Sequence, residues 1–109
     1  MKITELLGIQ YPIFQGAMAH IARYPLVSAV SEAGALGIIA AGGLSGEELR
    51  EQIRETKKRT DKPFAVNLML QMDNISEQVD LLIEEKVKIV TTGAGTPKPH
   101  MKQLKQAGI

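Results

Sequence analysis

The stretch VKIVTTGAGTPKP, residues 87–99, decides how this chain folds. It opens with Val87, Ile89 and Val90, β-branched residues suited to a buried strand. Thr91, Thr92, Gly93, Ala94 and Gly95 then strip the side chains away, and Pro97 and Pro99 rigidify the end of the loop. A plain turn needs one glycine. Two glycines around an alanine let a backbone approach something large and flat.

The same pattern of strand, small-residue loop and helix recurs along the chain. Strand-like runs begin near Ile13, Leu36, Phe64, Val87 and Ile109, at spacings of 23, 28, 23 and 22 residues. Helix-like segments lie between them. The first has Pro25 in its opening turn, Leu26, Ala29, Val30 and Ala33 on one face, and Gly34 as its stop. The second opens on Ser45 with Glu48 three residues later, a capping-box signature, followed by Leu49 and Ile53. The third aligns Ile75, Val79, Leu82 and Ile83; the fourth has Pro99 early, Met101 and Leu104 inside, and Gly108 at its end. Strand then helix, four times over, predicts an α/β fold with a parallel sheet, because parallel strands need crossovers.

Two parallel architectures compete, an open doubly wound sheet and a TIM (β/α)8 barrel. The open sheet's G-x-G-x-x-G after the first strand is absent, since QGAMAHIA stands there instead. Glycines recur at the C-terminal ends of strands one, two and four: Gly16, Gly42 with Gly43, and Gly93 with Gly95. That distribution predicts a barrel, whose functional loops all lie on that face. A barrel takes about eight units and ~250 residues. This chain supplies about the first four, and Ile109 reads as the start of a fifth strand. The expectation is therefore one domain over 1–109, the N-terminal half of a single barrel whose C-terminal half is missing.

Composition narrows the partners. A net charge of +1 argues against a dedicated nucleic-acid binder. With no cysteine and two histidines, there is neither a disulfide framework nor metal-site spacing, so no metal is expected. MKITELLG is too short and charged for a signal sequence, and AGALGIIAAGG falls short of the ~20 residues of a membrane span. A cytoplasmic chain with no membrane partner is the expectation.

Candidate chemistry lies in three stretches. YPIFQGAMAH (11–20) reads either as a backbone ledge for a planar cofactor, with Met18 packing on the ring, or as a strand-to-helix turn. In PFAVNLMLQ (63–71), Asn67 interrupts an apolar strand, and a buried amide without partners costs on the order of 2 kcal/mol or more. Its donor and acceptor suit the imide edge of a flavin; a barrel-interior asparagine bonded to neighbouring backbone is the other reading. In TTGAG (91–95), Thr91 or Thr92 could offer a hydroxyl to a cofactor. His20 and His100 lack partners nearby in sequence and read as solvated loop residues. The basic run RETKKRTDK (54–62) falls on the bottom of a barrel and reads as a solvated helix end.

Together, ITELLGIQYPIFQGAMA, VSEAGALGIIAAGG, TDKPFAVNLML and VKIVTTGAGTPK resemble the flavin-dependent enoyl-acyl carrier protein reductase II of bacterial fatty-acid synthesis, the FabK type. That type shares a superfamily with nitronate monooxygenase (2-nitropropane dioxygenase), and the TTGAG loop speaks for the reductase. The resemblance implies a TIM barrel with non-covalent FMN, reduced by NADH or NADPH, that reduces an enoyl group held on acyl carrier protein. It implies cytoplasmic lipid metabolism and a homodimer at full length. Ala17, Met18, Ala19, Asn67 and Thr91 would then bind the cofactor, with Thr92, Gly93, Ala94 and Gly95 as a substrate-side loop. No catalytic residue is expected here, because the family's histidine and phosphate loops belong to the second half; alone, this fragment should be inactive. The alternatives are a nitronate monooxygenase or a non-catalytic half-barrel.

Overall fold

A computed structural model describes residues 1–109. In chain order it contains α1 (Ile3–Leu7), α2 (Tyr24–Glu32), β1 (Gly37–Ala40), α3 (Gly46–Arg59), β2 (Phe64–Met69), α4 (Ile75–Glu84), β3 (Ile89–Gly93) and α5 (Lys98–Gln106). The strands are parallel and lie in the order β1-β2-β3. Phe14 adds a single parallel bridge to Leu36 on the outer side of β1. Spatial order therefore follows sequence order with no reversal, while α2 packs on α3, α3 on α4 and α4 on α5. This is a wedge of a singly wound barrel rather than a doubly wound sheet. No helix is long and apolar enough to cross a membrane.

Alternation along the strands sorts the side chains. Ile39, Val66 and Leu68 enter the main core with Leu49, Ile53, Val79 and Leu82 from the helices. Ile38 and Ala65 point the other way, into a smaller cluster with Leu36, Ile9 and, at its margin, Leu7 and Ile89. Residues in and just after α1 thus cover part of the N-terminal end of the inner face.

Several expectations need correction; in α5, for example, Leu104 is buried but Met101 is exposed. The strand near Ile13 shrinks to the Phe14 bridge, because the Gln15 side chain takes over from the ladder. Its Nε2 donates to the Ile38 carbonyl at 3.2 Å and its Oε1 accepts from Ile38 N at 3.1 Å. The buried face of α2 is Val27, Ser28 and Ser31, not the stripe through Leu26, Ala29, Val30 and Ala33. That helix lies so close to β1 that a Cβ on Gly37 would stand 2.2 Å from the Val27 carbonyl oxygen, so small residues face the contact. Ser31 Oγ accepts from Gly37 N at 3.1 Å. In α4, Gln78 and Leu81 join Val79 and Leu82 in the core, while Ile75 and Ile83 are half-buried at its margin.

The capping box of α3 forms as expected, with Ser45 Oγ accepting from Glu48 N and the Glu48 carboxylate accepting from Ser45 N. The basic run is more than a solvated helix end. Arg54 Nε donates to Glu85 at 2.8 Å, Arg50 reaches Glu84 at 2.9 Å and Glu85 at 3.1 Å, and Lys57 donates to the Glu85 carbonyl. Arg59 lies over the Tyr24 ring at 4.6 Å. These contacts fasten the end of α3 to α4 and α2.

Glu85 anchors that network with a side chain only 11% exposed. The hydrogen bond from Arg54 holds its carboxyl below the ordinary value of 4.5; partial burial opposes this, and the charges of Arg54, Arg50 and Lys57 add to it. A depressed carboxyl contributes stability that is full above its unfolded pKa and lost as pH falls through the folded one. Thermal melts should find wild type more stable than Glu85→Gln at neutral pH, by a margin that is steady above about pH 5.5 and shrinks progressively as acid protonates the carboxylate. A margin that does not shrink on acidification would rule out the ionised carboxylate as its source.

Candidate functional site

Parallel register sets three rows across the inner face. Ile38, Ala65 and Ile89 form the lowest, and Ala40, Asn67 and Thr91 the next. Met69 and Gly93 lie at the C-terminal rim. Above the apolar lowest row, therefore, the face carries one amide and one hydroxyl beside Ala40, with Met69 and Gly93 at the rim. Thr91 Oγ1 donates to Asn67 Oδ1 at 2.8 Å, and this is the only hydrogen bond of the Asn67 side chain. Asn67 is half-buried, and its Nδ2 has no partner within the chain.

The rim is shaped by backbone. Ala17, Met18 and Ala19 are exposed in a loop that leaves the sheet after Gln15 and returns where Ala40 N donates to the Ala22 carbonyl at 3.2 Å. The Gln15 amide makes this departure possible by replacing two ladder bonds. Gly16 and Gly93 have nothing within 4 Å of where a Cβ would stand. In the loop after β3, Ala94 adopts φ 60°, a left-handed conformation that costs a residue with a Cβ roughly 1–2 kcal/mol, and Gly95 follows at φ 151°.

Not every candidate shares the face. Thr92 pairs with Leu68, so its side chain alternates away from Asn67, and it is exposed. Gly93 returns to the Asn67 side, with Ala94 and Gly95 in the exposed loop beyond. His20 is exposed, with φ 68°, in the loop before α2, and His100 is half-buried in the first turn of α5; neither side chain bonds to the strand-end residues. Lys98 and Lys102 are exposed on α5, which begins beyond the same end of β3.

Two positioning side chains had no sequence signal. Gln78 is fully buried, and its Nε2 donates to the carbonyls of Ala41 at 3.0 Å and Leu44 at 3.2 Å. Asn74 Nδ2 also donates to Leu44, at 3.1 Å. Both amides grip the loop that carries Gly42 and Gly43. Gln78, as a polar helix residue, and Asn74, just before the helix, read as surface, and only packing shows otherwise.

A cavity of about 850 Å3 opens at the other end of the strands, lined by Leu6, Lys62, Phe64, Lys88 and Ile109 among others. No hydrogen-bonded pair of inner-face polar groups opens into it. The strand-end face is the better candidate, since parallel α/β proteins bind their ligands there.

A singly wound parallel wedge with its polar pair at the strand C-termini belongs to the TIM-barrel class. The chain is a member of the nitronate monooxygenase family, whose model matches residues 1–80. Over 107 residues it is 36% identical to a (3aS,4S,5R,7aS)-5-hydroxy-7a-methyl-1-oxo-octahydro-1H-indene-4-carboxyl-CoA dehydrogenase of Rhodococcus jostii, a match covering 98% of this chain and 30% of the relative. Over 67 residues it is 51% identical to the nitronate monooxygenase of Pseudomonas aeruginosa, covering 62% of this chain and 19% of that one. It superposes on FabK from Thermotoga maritima with a TM-score of 0.95 and 45% identity, covering 97% of this chain and 34% of that one. The chain thus spans about a third or less of the length of these relatives. By their names, the dehydrogenase and the monooxygenase are oxidoreductases.

The glycines divide into two kinds. Gly37→Ala should destabilise the chain by about 2–3 kcal/mol, because the new methyl meets backbone that cannot move aside. Gly93→Ala should be neutral or stabilising by up to about 1 kcal/mol, since open space awaits it and the unfolded chain loses freedom. Denaturant melts of the two variants check this. A larger loss at Gly93 would assign that glycine to the fold rather than to the site.

Proposed function

We propose that this chain forms the first part of the flavin site of an FMN-dependent enoyl-acyl carrier protein reductase. The observation that supports it best is the Asn67–Thr91 pair, an anchored amide with a free Nδ2 between Ala40 and the Met69–Gly93 rim. A flat ring suits this face. Ala17, Met18 and Ala19 would border it on one side, and Gly93 leaves its backbone uncovered on the other. FMN bound there would supply hydride transfer from NADH or NADPH to the β-carbon of a trans-2-enoyl thioester, with a proton added at the α-carbon. The chain's own residues would orient the ring: Asn67 Nδ2 as a hydrogen-bond donor, the 17–19 ledge by contact. The loop at 93–95 would leave room for substrate.

The reductase reading is favoured by 45% identity to FabK across 97% of the chain and by the small TTGAG loop. A nitronate monooxygenase is the second reading, favoured by the family model and by 51% identity to the Pseudomonas aeruginosa enzyme over 67 residues. Assays of the whole protein separate them. NADH oxidation driven by a crotonyl thioester is expected, and nitronate-dependent oxygen consumption without enoyl reduction would overturn the reductase. Asn67→Ala should weaken FMN binding by roughly ten- to a hundred-fold with the fold retained, the loss of hydrogen bonds worth about 1–3 kcal/mol. Unchanged FMN binding with a large drop in melting temperature would make the asparagine structural.

The carrier protein is the proposed partner, docking beside Lys98, His100 and Lys102. A lysine in the first turn of a helix opposes the dipole, so local stability does not explain Lys98. An acidic carrier with a phosphate on its arm would benefit from cations at this mouth. Lys98→Glu should therefore leave stability unchanged or improved while lowering efficiency with carrier-bound substrate, and not with a small thioester. Lys58→Glu, at the far end of α3, should affect neither. Equal losses with both substrates at Lys98 would sink the docking idea.

A further inference from the structure

Asn67 and Thr91 are register partners on adjacent parallel strands, and their side chains share the inner face. An asparagine amide is ambident. Its terminal torsion is broad and roughly two-fold, so by itself it can present either its NH2 or its oxygen to a ligand. Here Thr91 Oγ1 donates to Asn67 Oδ1 at 2.8 Å. That bond draws the amide oxygen toward β3 and leaves Nδ2, which has no partner in the chain, as the group on offer. Threonine suits the task because branching at Cβ restricts its own χ1, so the hydroxyl is held rather than merely present.

We infer that Thr91 is a positioning residue that makes Asn67 a hydrogen-bond donor toward the bound ring. This rests on the flavin reading above and sharpens it in two ways. Thr91 has its hydroxyl hydrogen committed to Asn67, so it acts through that residue rather than as a donor to the cofactor. The ring atom facing Asn67 must be an acceptor, a carbonyl oxygen or an unprotonated ring nitrogen, because an imide N–H there would meet another donor. An amide that fits both halves of an imide edge, as the sequence alone allows, becomes one that fits an acceptor only.

The test is a double-mutant cycle on FMN affinity in the whole protein, read beside spectra of the flavin-free protein labelled with 15N-asparagine. Thr91→Val keeps the shape and removes the hydroxyl. It should weaken FMN binding about three- to ten-fold, partly by letting the amide turn over and partly by loosening its hydrogen bond. Thr91→Ser should restore affinity to within about two-fold, as it returns the donor. In an Asn67→Ala background, Thr91→Val should add no further loss, because the two act as one unit. Without flavin, the Asn67 side-chain amide signals should shift or broaden in Thr91→Val and stay near wild type in Thr91→Ser. Equal losses from Thr91→Val with and without Asn67 would overturn the inference, as would no loss from it where Asn67→Ala does weaken binding. Should Asn67→Ala leave FMN affinity untouched, the flavin reading itself fails. The flavin-free spectra then judge the Thr91 lock alone, and an unmoved Asn67 amide in Thr91→Val overturns it.

Discussion

The register of β2 between its two neighbours is the constraint on which the site depends. Ala40 beside Asn67, and Asn67 beside Thr91, follow from backbone hydrogen bonds that have nothing to do with chemistry. Side chains alternate with a period of two, so a slip of one residue would turn Asn67 into the main core and bring Val66 or Leu68 to the inner face. That outcome would bury an amide among Leu49, Val79 and Leu82 and expose valine or leucine in exchange. The apolar residues on either side of Asn67 thus enforce its position more strongly than its own hydrogen bond does.

The two ends of the strands are built for different purposes. At the N-terminal end, Leu7 and Ile9 cover Ile38 and Ala65, while the paired charges of α3 and α4 tie the outer layer together. At the C-terminal end the chain gives up side chains and uses backbone. The Gln15 amide releases the 16–21 loop from the sheet, and Gln78 with Asn74 holds the loop after β1. Both devices use amides against main-chain groups, which secures a loop whose own residues are too small to pack. The strain at Ala94 belongs to the same end. Rigid support beneath and small residues above is an arrangement suited to a flat ligand.

Much of the architecture was legible along the chain. Four strand-helix repeats, glycines gathered at the strand ends and the absence of G-x-G-x-x-G led to a barrel wedge. The Ser45–Glu48 capping box appeared where its spacing demanded. These features are local, determined by propensity, capping and alternation, and need no knowledge of what lies across the molecule. Asn67 also stood out, because an amide within an apolar strand is conspicuous in one dimension. The exceptions to periodicity could not be read. A stripe through Leu26 and Val30 is the natural choice for α2 until Gly37 brings β1 so near that only Val27, Ser28 and Ser31 fit beneath.

Sequence by itself thus determined the class of fold, and it singled out the strand ends and Asn67 as the candidate site. Tertiary structure alone decided which threonine faces inward, since only the pairing of β3 with β2 sets Thr91 beside Asn67 and Thr92 beside Leu68. It also decided that Gln15 replaces a strand, and that Gln78 is core rather than surface. The physical reason is common to all three. A polar side chain takes its role from partners that lie far off in sequence: 24 residues separate Thr91 from Asn67 and 37 separate Gln78 from Ala41. Apolar periodicity reports which face is buried, but a hydrogen bond reports nothing until both of its ends are brought together in space.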